Sequence, residues 1–306
     1  LVVELSSFQL HYLGAISPVA SAFLNLAEDH LDWHGDFDSY FKAKSKVYQG
    51  TEVAIIFNEQ DQKTLEAAQQ ADVVEGCRAI AFSLFTPQKS AVGYVEDILV
   101  DRAFLENRAE QALEIATESE LAQIGPVSNQ LRANVAAATA LARAAGVAPQ
   151  SIRRALSNFK LSPHRNQLVA EVSGVYYVND SKATNAHAAD SSLSSYESVV
   201  WIVGGLFKGI DPSELIRKHS ARLRGAVLIG KETEQLARLF SELMPDTAIS
   251  VISGDSVMKE AVLAAKELAQ PGDTVLLAPA AASMDQFKDY ADRGELFELA
   301  VRELEA

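Results

Sequence analysis

The chain has 306 residues, 48% of them hydrophobic and 22% charged, with a formal net charge of −14. That length favours two domains, the acidic balance opposes nonspecific binding to nucleic acid or anionic lipid, and no apolar run approaches the roughly 20 residues needed to span a bilayer. The single Cys77 excludes an intrachain disulfide and suits a reducing compartment, so a cytoplasmic location is expected.

The chain opens on an apolar, β-rich run, residues 1–5, with no initiator Met, cap signal or signal-peptide pattern, and reads as a strand of a domain entered part-way. Further buried strands are expected at residues 21–26, 53–57 and 79–84, with helices at 37–48 and 62–71. Residues 92–124 read as β with loops, including one antiparallel strand at 94–100. Leu131, Val135, Ala138 and Leu141 recur at helical spacing over residues 131–145, where Gly146 is a natural stop, and a second helix is expected at 149–159. Residues 161–165, Leu-Ser-Pro-His-Arg, break the helical pattern and mark a boundary, placing domains at 1–162 and 163–306. A β pair at 168–178 follows. Strands at 199–203, 226–229, 249–252 and 274–278 then alternate with helices at 212–223, 232–244, 256–269 and 286–305, the pattern of a doubly wound α/β domain. Ligands in such sheets sit beyond the carboxyl ends of the strands.

Several strand ends carry polar residues. Asn179-Asp180-Ser181-Lys182-Ala183-Thr184-Asn185 follows an apolar strand and precedes an Ala-rich helical stretch. Such a loop can hold phosphate or carboxylate oxygens by N–H groups, helix dipole and a point charge, and equally fits an ordinary Asx or Ser cap. His164-Arg165 sits at the boundary, where the Arg fork suits phosphate and a solvated pair is the plain alternative. Gly204-Gly205-Leu206-Phe207-Lys208-Gly209 places a cation in a glycine-rich turn, but lacks the G-x-G-x-x-G spacing of a nicotinamide dehydrogenase. Gly225 to Lys231 has phosphate-loop spacing, yet Glu232 replaces the Ser/Thr needed for Mg²⁺ and the intervening residues form an apolar strand, so it reads as core. A phosphate loop, if used, is expected about 40 residues before Glu4. Glu4, His30 within Glu28-Asp29-His30-Leu31-Asp32, and Lys44 are weak signals singly, fitting either a hard-cation site or ordinary surface polarity.

Taken in order, Glu4-Leu5-Ser6-Ser7-Phe8-Gln9-Leu10, Asn25-Leu26-Ala27-Glu28-Asp29-His30, Tyr40-Phe41-Lys42-Ala43-Lys44, Pro163-His164-Arg165, residues 179–185 and Ser283-Met284-Asp285-Gln286-Phe287 resemble the successive motifs of MurD-type Mur ligases. The resemblance runs essentially the length of the chain. It implies an α/β protein made of a truncated P-loop-type central ATPase domain and a C-terminal Rossmann-like domain that binds an amino acid. The implied reaction is ATP-dependent addition of D-glutamate to UDP-N-acetylmuramoyl-L-alanine through an acyl phosphate, in peptidoglycan synthesis. The alternatives are another Mur or folylpolyglutamate-type ligase, or a non-catalytic nucleotide- or amino-acid-binding fragment.

By the same resemblance, Glu4, His30 and a carbamylated Lys44 hold Mg²⁺, and Lys44, His164 and Lys182 are catalytic. Asn134, Arg165 and Asp180 contact ATP, while Thr184, Lys208, Ser283 and Tyr290 contact D-glutamate. A monomer without nucleic-acid or membrane partners is expected. One departure stands out: the family's Gly-x-His-Asn before the matched Asn134 is here Ser128-Asn129-Gln130-Leu131, and Leu131 cannot hydrogen-bond to adenine. Tyr290 replaces a frequent Phe, keeping the aromatic face.

Overall fold

A computed structural model describes all residues except Lys208, Ile210, Asp255, Glu305 and Ala306. The chain forms two compact units, Leu1–Phe159 and Lys160–Ala306. Both are α/β.

In the first unit, α1 (Ser7–Tyr12) precedes β1 (Ala20–Phe23), α2 (Leu31–His34), α3 (Phe37–Ser45), β2 (Ala54–Asn58), α4 (Gln62–Gln69) and β3 (Arg78–Phe82). Then come β4 (Ala91–Val95), β5 (Ile98–Asp101), β6 (Leu113–Thr117), α5 (Glu118–Leu121), α6 (Asn129–Ala144) and α7 (Pro149–Asn158). The strands form one six-stranded sheet in sequence order. β1 to β4 are parallel neighbours, and β5 and β6 add antiparallel. Phe23 and Ile55 meet Phe41, Tyr48 and Ala67 from α3, the following turn and α4 in one apolar cluster, while α6 lies across β1 to β4. Strands covered by helices carry near-continuous apolar runs, which is why they were legible without alternation.

Two expectations for this unit fail. Residues 1–5 are not a strand: Leu1, Val2 and Val3 are exposed, β1 is the sheet edge, and an extended segment without a ladder partner gains nothing from its β propensity. The helix that follows starts instead at Ser6, whose side chain accepts from the Gln9 amide while Gln9 bonds back to the Ser6 N–H. The single strand expected at 94–100 is a hairpin, β4 turning into β5 at Glu96, whose φ is 55°. The short α2 and α5 carry too few residues for a periodic signal.

In the second unit the order is β7 (Gln167–Val172), β8 (Val175–Asn179), α8 (Ala186–Leu193), β9 (Val199–Gly204), α9 (Ser213–His219), β10 (Leu223–Ile229) and α10 (Thr233–Leu243). β11 (Ala248–Val251), α11 (Val257–Leu268), β12 (Thr274–Leu277) and α12 (Tyr290–Arg302) complete it. The sheet order is β11-β10-β9-β12-β8-β7, parallel throughout except for β7 at the edge. Every residue of β9 is buried. Val199, Trp201 and Val203 join one core with α8, α9 and α10, while Val200 and Ile202 join another with α11 and α12. Helices on both faces make the sheet doubly wound. The segment with phosphate-loop spacing is the buried strand β10, as read. Residues 286–289, expected to open the last helix, are loop, because Asp289 caps α12 by accepting from the amides of Ala291 and Asp292. Among the described residues no helix is long and apolar enough to cross a membrane.

Candidate functional site

In the first unit a polar cluster forms from three loop or helix-end segments. Lys44, on the last turn of α3, is half-buried, and burial lowers its pKa while the negative charges of Glu4 and Asp29 oppose the shift. Its ammonium also lies 5.7 Å from the Phe23 ring centre. His30 caps α2 in the left-handed region with φ 53°, its Nδ1 3.6 Å from Asp29 and its ring 4.8 Å from that of Phe8. Glu4, Lys44 and the Asp29–His30 pair thus share one neighbourhood. Asp29, which the sequence reading named only as part of the acidic segment around His30, enters this set. Asn134 lies elsewhere in the unit, on the exposed side of α6, accepting at Oδ1 from the Gln130 side chain at 3.0 Å. Leu131, at the departure from the family pattern, is buried and faces the core.

In the second unit the loops after β8, β9, β10 and β12 interlock at the carboxyl end of the sheet. Gly230 has φ 100°, and a Cβ there would lie 2.5 Å from the Gly205 nitrogen, so only glycine permits the two loops to touch. The Gly230 amide donates to Gln286 Oε1 at 2.7 Å and the Lys231 amide to Asp285 Oδ2 at 2.9 Å. Ala280 donates its amide to the Ala183 carbonyl at 3.0 Å, and Leu206 bridges to Ala282.

Behind this rim runs a buried network. Arg293 of α12 is fully buried and donates from Nε to Ser181 Oγ (2.9 Å), and from its two terminal nitrogens to the carbonyls of Ser181 (2.9 Å) and Ala281 (3.2 Å). Burial pulls its pKa down to about 10, with Asp285 acting in the opposite direction. Ser181 Oγ donates onward to the Tyr290 carbonyl at 2.7 Å. Sequence reasoning missed Arg293; a cation on the stripe formed by Arg293, Phe297, Ala300 and Val301 of an amphipathic helix was the signal.

Several of the named site residues of this unit lie on these loops. The Lys182 ammonium stands 3.8 Å from the Tyr290 ring centre, and the Lys182 amide donates to the His164 carbonyl at 3.1 Å. Thr184 follows in the same loop, its amide donating to the Lys182 carbonyl at 2.8 Å. Ser283 is buried, its carbonyl accepting from the amides of Gln286 and Phe287. Asp180 is buried and accepts from Ser192 Oγ and from the Asn166 amide. Burial raises its pKa, against those hydrogen bonds and the nearby charge of Arg165, which is itself exposed. Lys208, the remaining candidate, lies outside the described residues. A cleft of about 150 Å³ walled by Phe207, Asp211, Glu232 and Leu236 has an acidic lining ill suited to a carboxylate ligand. The cations and hydroxyls near Lys182 suit one better.

The family described as Mur ligase middle domain matches residues 1–142, and that described as Mur ligase, glutamate ligase domain, matches residues 164–281. Over 311 residues the chain is 52% identical to a UDP-N-acetylmuramoylalanine--D-glutamate ligase of Leifsonia xyli subsp. xyli, covering 99% of this chain and 60% of that protein. It is 47% identical to the protein of the same name from Streptomyces coelicolor, covering 100% of this chain and 65% of that one. The chain therefore spans about three fifths to two thirds of the length of these relatives. Among solved structures, a MurF ligase from Thermotoga maritima in complex with ADP aligns with a TM-score of 0.60 at 18% identity, over 94% of this chain and 63% of that one, a likeness of fold.

Proposed function

The chain belongs to the Mur ligase family, and from that premise we propose that it supplies the central and C-terminal parts of a ligase joining D-glutamate to UDP-N-acetylmuramoyl-L-alanine at the expense of ATP. The observation that supports the reading is the Lys182 ammonium standing over the Tyr290 ring, with Thr184 in the same loop and Ser283 in the loop after β12 that is hydrogen-bonded to it. A dicarboxylate amino acid needs cations and hydroxyl donors in one place, which this edge supplies.

In the proposed reaction the substrate carboxylate attacks the γ-phosphoryl of ATP, releasing ADP. The amine of D-glutamate then adds to the acyl carbon, a C–N bond forms, the C–O bond to phosphate breaks, and the amine loses a proton. Residues 163–306 bind D-glutamate through Lys182, Thr184, Lys208, Ser283 and Tyr290, with His164 beside them. Asn134 contacts adenine, and Arg165 and Asp180 contact the nucleotide's phosphate and ribose.

The first-unit cluster fits a metal-assisted reaction. Mg²⁺ takes one or two protein carboxylates and completes its shell with phosphate oxygens and water. Glu4, His30 and a carbamylated Lys44 would hold it, and it would offset charge on the transferring phosphoryl. Burial favours the neutral Lys44 amine, the form that reacts with CO₂. We infer a cytoplasmic monomer.

The test is amino-acid-dependent ADP release by the full-length protein carrying this sequence, with UDP-N-acetylmuramoyl-L-alanine as acceptor. D-glutamate is expected to drive it, and equal rates with L-alanine, L-lysine or diaminopimelate would refute the assignment.

A further inference from the structure

We propose that His164 serves the reaction as a hydrogen-bond donor through Nε2–H, and that Asn179 is the positioning residue that imposes this tautomer; the proposal rests on the ligase reading above. The His164 side chain is 10% exposed, and its backbone is held at φ 62°, a conformation that L residues adopt only when their surroundings enforce it. Its ring lies flat against α12, because Gly294 has no Cβ and any there would overlap Nδ1.

The hydrogen-bond count then decides which nitrogen carries the proton. The orientation of the Asn179 amide is set by Ser181, whose N–H donates to Asn179 Oδ1 at 3.1 Å. This turns Asn179 Nδ2, which has two hydrogens for three acceptors, toward the Gly294 carbonyl at 3.1 Å, Glu298 Oε1 at 3.0 Å and His164 Nδ1 at 2.9 Å. An amide nitrogen offers donors and no lone pair for acceptance. A proton on Nδ1 would therefore face another donor at 2.9 Å, and the nearest carboxylate, Glu298, lies 3.6 Å from Nδ1, beyond hydrogen-bond reach. A proton on Nδ1 would find no acceptor within reach, whereas a bare Nδ1 shares an Asn179 hydrogen, so the neutral ring carries its proton on Nε2.

Among the described residues no protein atom hydrogen-bonds to Nε2. Its N–H is thus available to a ligand, beside the loop where Lys182 bonds to the His164 carbonyl and stacks on Tyr290. The His164 ring lies 6.4 Å from that of Tyr290, over which the Lys182 ammonium stands, and a fixed N–H donor with a cation in the same loop system can stabilise an anionic oxygen. A carboxylate of D-glutamate and a phosphate of the nucleotide present the same chemistry.

Ring ¹⁵N spectra of the full-length protein, labelled at histidine, test the tautomer. The expected result is a proton on Nε2 and none on Nδ1, with the pattern reversed in Asn179→Asp, whose carboxylate accepts from Nδ1–H. A protonated Nδ1 in the unaltered neutral ring overturns the proposal.

Because Asn179→Asp places a carboxylate in a buried position, a second pair of variants tests the role independently. In His164→Gln the side-chain amide can reach the place of Nε2, whereas in His164→Asn it reaches only that of Nδ1. Loss of the donor is expected to lower kcat about 10²- to 10³-fold in His164→Asn, with His164→Gln recovering at least a tenth of the unaltered rate. Equal losses in both would mark a base and refute the donor role. Separate titrations with D-glutamate and with ADP identify the anion: His164→Asn weakens one of them, and unchanged affinity for both overturns the proposal. If the unaltered protein shows no D-glutamate-dependent turnover, the ligase reading fails while the tautomer measurement still decides the geometry.

Discussion

Replacing Arg293 by Met keeps most of the side-chain volume of a fully buried residue but removes every donor it supplies. In the native unit its guanidinium satisfies Ser181 Oγ and the carbonyls of Ser181 and Ala281, residues that are themselves buried. Two carbonyls left without these donors cost about 1–3 kcal/mol each. Removing a guanidinium whose pKa burial has pulled down to about 10 returns part of that cost, because a charge no longer has to be desolvated. The expected net loss is about 3 kcal/mol, and Arg293→Ala should lose about 2 kcal/mol more through the cavity it leaves. The chain has two tryptophans, Trp33 and Trp201. In a Trp33→Phe background the buried Trp201, whose indole N–H donates to the Ala278 carbonyl at 2.7 Å, reports the second unit alone. With a urea slope of about 2 kcal/mol/M, 3 kcal/mol moves the midpoint down by about 1.5 M. A midpoint unchanged or raised in Arg293→Met would show that desolvation outweighs the three hydrogen bonds, and the network could not then be what holds the two loops.

Asp180→Asn is expected to stabilise the second unit by about 1 kcal/mol at pH 7 while weakening ADP binding. Burial raises the folded-state pKa of Asp180, so the folded form binds its proton more tightly than the unfolded form. Its ionisation therefore penalises folding above that pKa, and the penalty vanishes as pH falls below the unfolded value; a gap between variant and parent that widened on acidification would contradict this. Lys44→Arg preserves charge but cannot be carbamylated, and should weaken Mg²⁺-dependent turnover by more than about 100-fold, whereas turnover within a few-fold of the parent, or parent activity indifferent to removal of CO₂, would exclude the modification. Leu131→Asn restores the family's residue, yet Leu131 is buried. Urea denaturation should show a loss of about 2 kcal/mol with no gain in ADP affinity, and a measurable gain would mean that this position reaches adenine after all. Asn134→Ala, on the exposed side of the same helix, should by contrast weaken ADP about tenfold, as loss of one hydrogen bond does.

Local periodicity was enough to read most of the second unit. Strands such as β9 and β12 are buried at every position and almost wholly apolar because both faces are covered, and the helices between them carry their own apolar stripes. The order of the Glu4, His30, Lys44, His164 and Lys182 segments likewise marked the family in the sequence alone. Partnership is a different kind of information, since a ladder, a buried donor or a shared loop edge joins residues far apart in the chain. Residues 1–5 have strand propensity and no neighbour to pair with, so they do not form a strand. Asp29 matters because it stands beside His30 and its charge reaches Lys44, and Arg293 because a distant loop presents two carbonyls to it. The choice of protonated nitrogen in His164 depends on Asn179, Gly294 and Glu298, which lie 15 to 134 positions away along the chain. Spacing in a sequence specifies the helix or strand a residue rides on; hydrogen-bond satisfaction in a closed interior, which only tertiary folding creates, decides what its side chain can do.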